Sequence, residues 1–81
     1  MLNRKGTFTL DYELIRQNPS LAKSILSTVV VVRAENCFVE DTVTYWAYSE
    51  HFDEVQHPLR APKYEAIISV RGILKEWRKV E

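Results

Sequence analysis

The residue types best suited to chemistry are concentrated in one short segment. Two histidines and three carboxylates lie within eight residues: Glu50, His51, Asp53, Glu54 and His57. Imidazole and carboxylate groups are ligands for Zn²⁺ or Mn²⁺, so the segment has the donors for a divalent metal. The histidines are six residues apart, however, which matches no known ligand spacing, and Pro58 follows the second one. We interpret the segment as a solvated loop and expect no metal and no other cofactor.

The remaining candidates do not indicate nucleophilic catalysis. Ser49, His51 and Asp53 have the residue types of acyl transfer, but the glycines of a nucleophile elbow are missing. For Cys37, the sequence indicates neither a neighbouring base nor an oxyanion hole. With only two glycines, the chain has no glycine-rich phosphate loop. The sequence therefore predicts no catalytic residue, and we expect a protein that is not an enzyme.

The composition is that of an ordinary globular domain. The chain has 81 residues, 46% hydrophobic and 27% charged, and its formal net charge is zero. A neutral balance argues against a main role in coating DNA or an anionic membrane. The single cysteine does not indicate an oxidising compartment, and no apolar run approaches the ~20 residues of a membrane span. We expect one domain over residues 1–81, in the cytoplasm and without membrane contact.

Three runs rich in β-branched and aromatic residues supply the framework that positions these side chains. Residues 28–33, 42–48 and 64–70 predict three strands of one antiparallel sheet. Strand alternation places their small apolar residues toward the helices. The predicted core consists of Val30, Val32, Val43, Tyr45 and Ile68.

The N-terminal part of the chain has a helical pattern. Residues 9–27 predict two helices separated at Asn18-Pro19, because proline cannot continue the first helix. A short strand over residues 7–10 is the alternative for the first half. The candidate capping residues are Thr9 or Asp11 for the first helix and Ser20 for the second.

The C-terminal segment is ambiguous between a helix and a strand. The apolar residues of 73–80 fall on one side of a helical wheel, which favours a helix. The alternative is a hairpin with Arg71-Gly72 at its turn. The sequence therefore predicts an α+β fold: an antiparallel three- to four-stranded sheet, an N-terminal helical segment, and a C-terminal helix or fourth strand.

One pattern connects the second and third predicted strands. It consists of Ser49, Phe-Asp-Glu-Val at residues 52–55 and Pro-Lys-Tyr at residues 62–64. This pattern is similar to a segment of small uncharacterised proteins encoded by bacteriophages. The resemblance implies a phage or prophage origin and a compact α+β fold, and it implies no activity.

The sheet face opposite the predicted core favours a binding function. Aromatic and Arg enrichment is typical of interface centres. We expect a small non-enzymatic protein-binding module that binds a host protein or itself, unless a C-terminal helix covers this face. The predicted binding residues are Arg33, Thr44, Trp46, Tyr48 and Ile67.

The alternative is a small nucleic-acid-binding or regulatory protein that uses a basic C-terminal segment. Residues 58–80 hold six basic and only two acidic residues. Such a segment could contact phosphates, with Trp77 stacking on bases.

Overall fold

The chain forms two antiparallel sheets and two short helices. The computed structural model describes residues 4–55 and 61–80. A three-stranded sheet has the order β1-β3-β2, and a two-stranded sheet pairs β4 with β5. The mixed α+β class and the antiparallel pairing are as predicted, but the strands form two sheets instead of one. The elements are β1 Lys5–Asp11, α1 Tyr12–Gln17, α2 Pro19–Leu26, β2 Val30–Cys37, β3 Thr42–Tyr48, β4 Tyr64–Ile68 and β5 Leu74–Lys79.

The first helix begins later than expected because the preceding residues form β1. Phe8 and Leu10 are buried and alternate with the exposed Thr9, which is a strand pattern. The alternative strand over residues 7–10 is therefore the correct one. Asp11 occupies the N-cap position of α1, but its side chain makes no capping hydrogen bond there.

The predicted break between the helices is confirmed, although its capping residue is not the expected one. The Asn18 side chain accepts a hydrogen bond from the Leu21 N–H at 3.3 Å, and Pro19 lies in the first turn of α2. Proline suits the first helical position because its missing N–H has no helical partner there. The cap therefore precedes Pro19, and Ser20 lies inside the helix. Within the described residues, no helix has the length and apolar character needed to cross a membrane.

An aromatic cluster joins the two sheets. Phe52 is fully buried and stacks on Tyr64, with ring centroids 4.2 Å apart. Trp77 of β5 meets Phe52 edge-on at 5.3 Å and packs against Phe8 of β1 at 4.8 Å. The Trp77 indole N–H donates to the Thr28 hydroxyl at 3.1 Å. This network satisfies the one polar atom of the indole, so the ring can pack in the core.

Two residues predicted for the core are exposed instead. Val30 and Val32 are 55% and 59% exposed. Strand β2 is an edge strand with a bulge between residues 31 and 33, and the extra residue reverses the side-chain alternation. Before the bulge, Val30 therefore shares a face with Tyr48 instead of pointing to the core. The other predicted core residues are buried or pack against the core: Val43, Tyr45 and Ile68.

The C-terminal segment is a strand, so the favoured helix is wrong and the alternative hairpin is correct. Its turn contains Gly72 at φ +77°, a conformation that glycine adopts without strain. The β4–β5 register skips Lys75, which leaves Leu74 and Trp77 on the inner side although they are three residues apart. This bulge produces the helix-like spacing in the sequence.

The two sheets meet where β4 begins beside β1. The Thr7 N–H donates to the Pro62 carbonyl at 2.8 Å, and Thr7 forms an isolated parallel bridge with Lys63. Gly6 permits this approach, because a Cβ there would lie 2.6 Å from a ring carbon of Tyr64. The Tyr64 ring is itself buried and stacked, so it cannot move aside.

Candidate protein-binding face

Four of the five predicted binding residues lie on one side of the three-stranded sheet. We call this side the outer face; the helices pack on the opposite side, around Phe8 and Leu10. The central strand β3 supplies the aromatic residues, and the bulge in β2 places Arg33 directly opposite Trp46. The outer face comprises Lys5, Thr7, Thr9, Asp11, Val30, Arg33, Glu35, Cys37, Thr42, Thr44, Trp46 and Tyr48.

Arg33 lies over the Trp46 ring. Its guanidinium carbon is 4.7 Å from the ring centroid, within the range of a cation–π contact. The same guanidinium donates to the Glu35 carboxylate at 2.5 Å. Glu35 is two residues further along β2, so both side chains project from the same face. The carboxylate and the indole thus contact the same guanidinium.

The surroundings of Trp46 are amphipathic. Tyr48 lies between Lys5 on β1 and Val30 on β2 in the cross-strand register. The Thr9 and Thr44 hydroxyls lie 3.2 Å apart and form a cross-strand hydrogen bond. Half-buried aromatic rings flanked by hydroxyls and charges are typical of the centre and rim of a protein interface.

Ile67 does not belong to this face. It lies on β4, opposite Glu76, and therefore in the two-stranded sheet. The sequence prediction assumed a single continuous sheet, in which the third strand extends the same surface. Among the described residues, the two sheets are bridged only at Thr7 and Lys63. The side-chain alternation along β4 therefore does not continue that along β3.

The C-terminal segment does not cover the outer face as a helix there would. Strand β5 pairs with β4, and Trp77 is directed into the aromatic cluster against Phe8 and Phe52. Coverage of Trp46 by a C-terminal helix is therefore ruled out, because residues 74–79 form a strand.

Ser49, a candidate nucleophile by residue type, has a structural role. It is 1% exposed, and its hydroxyl donates to the Thr28 carbonyl at 2.9 Å. The same oxygen accepts from the His51 N–H at 3.1 Å, and the Asp53 N–H donates to the Tyr64 hydroxyl at 2.8 Å. These hydrogen bonds hold residues 49–53 around the buried ring of Phe52. A buried, engaged hydroxyl is unsuited to nucleophilic attack.

The acidic segment after β3 shows no metal-binding geometry in its described part. Within residues 4–55 and 61–80, no three His, Cys, Asp or Glu side chains converge as metal ligands. Glu50, His51 and Glu54 are exposed, and an Asp53 carboxylate oxygen lies 3.6 Å from the Lys79 ammonium. His57 lies outside the described residues.

The basic C-terminal residues are partly neutralised by acidic neighbours. Arg78 pairs with Glu65 at 2.6 Å, and Lys79 lies beside Asp53. Trp77 packs its ring against the core, on Phe8 and Phe52, and is not free to stack on a base from this position. Nucleic-acid binding by this segment would depend on phosphate contacts alone.

Sequence reasoning missed two surface features. The first is a groove of 580 Å³ alongside β1, lined in part by Leu10, Leu14 and Ile68. It lies where β1 and β4 do not continue their pairing beyond Thr7. The second feature is the free edge of β2. Both are hidden in the sequence because the residues of β1 predict a helix and Val30 and Val32 of β2 are predicted to lie in the core.

Comparison with known protein families, with characterised proteins and with solved structures found no match for this chain.

Proposed function

We propose that this chain is a small non-enzymatic protein-binding module that binds a protein partner through the outer face. The observation that carries the proposal is Trp46, centred on the middle strand with Arg33 held over its ring by Glu35. Trp, Tyr and Arg are the residue types most enriched at interface hot spots. Trp46, Tyr48 and Arg33 lie together on this one face.

The charge of the outer face favours a protein over a nucleic acid. Lys5 and Arg33 are balanced by Asp11 and Glu35 on the same face. A nucleic-acid surface needs a net excess of basic groups against the phosphates. A balanced face with aromatic residues at its centre instead suits apolar contacts surrounded by hydrogen bonds and ion pairs.

The test compares three forms of the protein immobilised for capture from a nuclease-treated bacterial lysate, a source chosen because of the resemblance to phage proteins. Trp46→Thr removes the indole and introduces a β-branched residue, which suits the strand. Ile73→Ala, a truncation of a 55% exposed residue in the β4–β5 turn, is the matched control. We expect a protein to be retained by the wild type and the control and to be lost from Trp46→Thr.

The retained protein is then purified for titration. Loss of the indole should weaken binding by about 2–4 kcal/mol, which is roughly 30-fold or more in Kd. Circular dichroism confirms that the variant is folded. Equal retention by Trp46→Thr contradicts the proposal. Retention of nucleic acid in an untreated lysate, falling steeply with salt, would instead support the basic C-terminal segment as the functional surface.

A further inference from the structure

Strand β2 presents one complete side of its backbone to solvent. Its residues from Val30 to Asn36 are exposed, and in the described part of the chain its only strand partner is β3. Extended apolar edges of this kind are templates for pairing with another strand. Val30 and Val32 make the edge apolar, and Arg33 and Glu35 add one charge of each sign.

The hydrogen bonds at the ends of β3 show which way its peptide groups point. The Ser49 N–H donates to the Arg4 carbonyl at 2.9 Å, and the Tyr12 N–H donates to the Asp41 carbonyl at 3.0 Å. Peptide groups in an antiparallel strand alternate between its two neighbours. The odd-numbered residues of β3 therefore bond to β1, and the even-numbered residues bond to β2.

The same alternation identifies the free peptide groups of β2. Thr44 and Trp46, the even-numbered residues at the centre of β3, are paired with Glu35 and Arg33. The peptide groups of Arg33 and Glu35 are thus directed at β3. The peptide groups of the alternate residues, Ala34 and Asn36, point away from β3. The free peptide groups belong to Ala34 and Asn36.

We propose that a second copy of this chain pairs with this edge, β2 against β2 in antiparallel orientation, with Ala34 opposite Ala34 of the second copy. This register joins the free peptide group of Ala34 to its equivalent in the second copy. It also sets Arg33 opposite the partner's Glu35 and, by symmetry, Glu35 opposite the partner's Arg33. Those two pairs are the non-hydrogen-bonded ones, whose side chains approach most closely.

Other symmetric registers lose this complementarity. A two-fold axis at Arg33 or at Glu35 sets like charges against each other and turns the peptide groups out of phase. An axis at Asn36 sets Glu35 against Cys37 and forms no ion pair. An axis at Val32 falls on the bulge. Charge and hydrogen-bond phase therefore select the Ala34 register. Pairing at this edge uses Arg33 and Glu35 but does not require Trp46 to bind a partner.

The first experiment uses the wild-type protein. Sedimentation equilibrium across a wide concentration range should show a reversible dimer. Hydrogen exchange measured by NMR should show amide protection at Ala34 that increases with concentration. The amides of Arg33 and Glu35, bonded to β3, are the internal control and should be protected at every concentration. A monomer at all concentrations, or protection at Ala34 that is independent of concentration, overturns the proposal.

The second experiment reverses one charge at a time. Glu35→Arg gives one chain two positive side chains at positions 33 and 35, and Arg33→Glu gives another chain two negative ones. Each variant alone should dimerise about tenfold more weakly than the wild type, because both ion pairs become like-charge contacts. An equimolar mixture should recover dimers that contain one of each chain. Unchanged dimerisation of the single variants, or no recovery in the mixture, overturns the proposal.

Trp46→Thr separates this edge from the outer face. It should leave the dimer intact, since Trp46 lies on the middle strand and not at the edge. A dimer lost in Trp46→Thr but retained in both charge reversals would show that copies associate through the face, and would contradict edge pairing.

Discussion

At the residue scale, Tyr45 links the stability of the fold to pH. Its ring stacks on Phe8 with centroids 5.1 Å apart. Burial, with a further contribution from nearby Tyr12, raises the pKa of the Tyr45 hydroxyl above its ordinary value of 10.0. The folded protein therefore holds this proton more tightly than the unfolded chain does. The corresponding stability is complete below the unfolded pKa and is lost as the pH rises through the folded one.

We accordingly expect the free energy of unfolding of Tyr45→Phe to depend less on pH in the alkaline range than that of the wild type. Urea denaturation at several values between about pH 8 and 11, spanning the ordinary tyrosine pKa, measures the free energy of unfolding. The wild-type free energy should fall more steeply with pH than that of the variant. Tyr48→Phe, which removes a phenol from the outer face, is the matched control for the loss of a tyrosine hydroxyl. Parallel profiles for wild type and Tyr45→Phe would contradict the linkage.

At the element scale, the junction between α1 and α2 depends on Asn18. Its side chain accepts from the Leu21 N–H, and its own N–H donates to the Leu14 carbonyl at 2.9 Å. One residue thus ends the first helix with its backbone and begins the second with its side chain. Pro19 fixes the boundary because it cannot occupy the interior of a single continuous helix.

Asn18→Ala should lower the free energy of unfolding by about 1 kcal/mol, because an N–H of the first turn loses its acceptor. Ser20→Ala, two residues further on and exposed, should change it by less than about 0.5 kcal/mol. Urea denaturation of both variants at neutral pH provides the comparison. A larger loss in Ser20→Ala would return the capping role to Ser20.

The elements that could be predicted from the sequence are those whose signal is local. The bounds of β3 match the predicted run at residues 42–48, and the helix break follows from one proline. Strands β2 and β5 were misread because each carries a bulge. A bulge depends on how a strand is paired with its neighbour, so alternation along one strand cannot locate it. In β5, the extra residue Lys75 separates Leu74 and Trp77 by three positions, a spacing typical of a helix.

The same distinction applies to the candidate site. Thr44, Trp46 and Tyr48 could be placed on one face by alternation along a single regular strand. Arg33 joins them because the bulge sets it opposite Trp46. Ile67 could not be placed, since its position depends on a long-range contact between the two sheets at Thr7 and Lys63.

At the scale of the whole molecule, both sheets share one aromatic cluster. Phe8 belongs to the three-stranded sheet, Trp77 to the two-stranded sheet, and Phe52 to the loop between them. Neither sheet can bury its inner side without the other. Unfolding should therefore be a single cooperative transition.

Two tryptophan variants test this cooperativity. Trp46→Phe leaves Trp77 as the reporter of the two-stranded sheet, and Trp77→Phe leaves Trp46 as the reporter of the three-stranded sheet. In Trp46→Phe, the urea midpoint from fluorescence should coincide with the midpoint from far-UV circular dichroism. The same coincidence is expected in Trp77→Phe, at a lower midpoint because a core ring has been reduced. A Trp77 transition that precedes the loss of circular dichroism would show that the two-stranded sheet unfolds separately.

The pairing of β1 has a consequence for synthesis on the ribosome. This strand is made before its partner β3, which begins at Thr42, and Thr7 also bonds to Pro62. The nascent chain therefore carries Phe8 and Leu10 without a sheet to join until much later residues emerge. The aromatic cluster can form only after Trp77 has been synthesised. Slow translation between these points prolongs the exposure of apolar segments to chaperones and to neighbouring nascent chains.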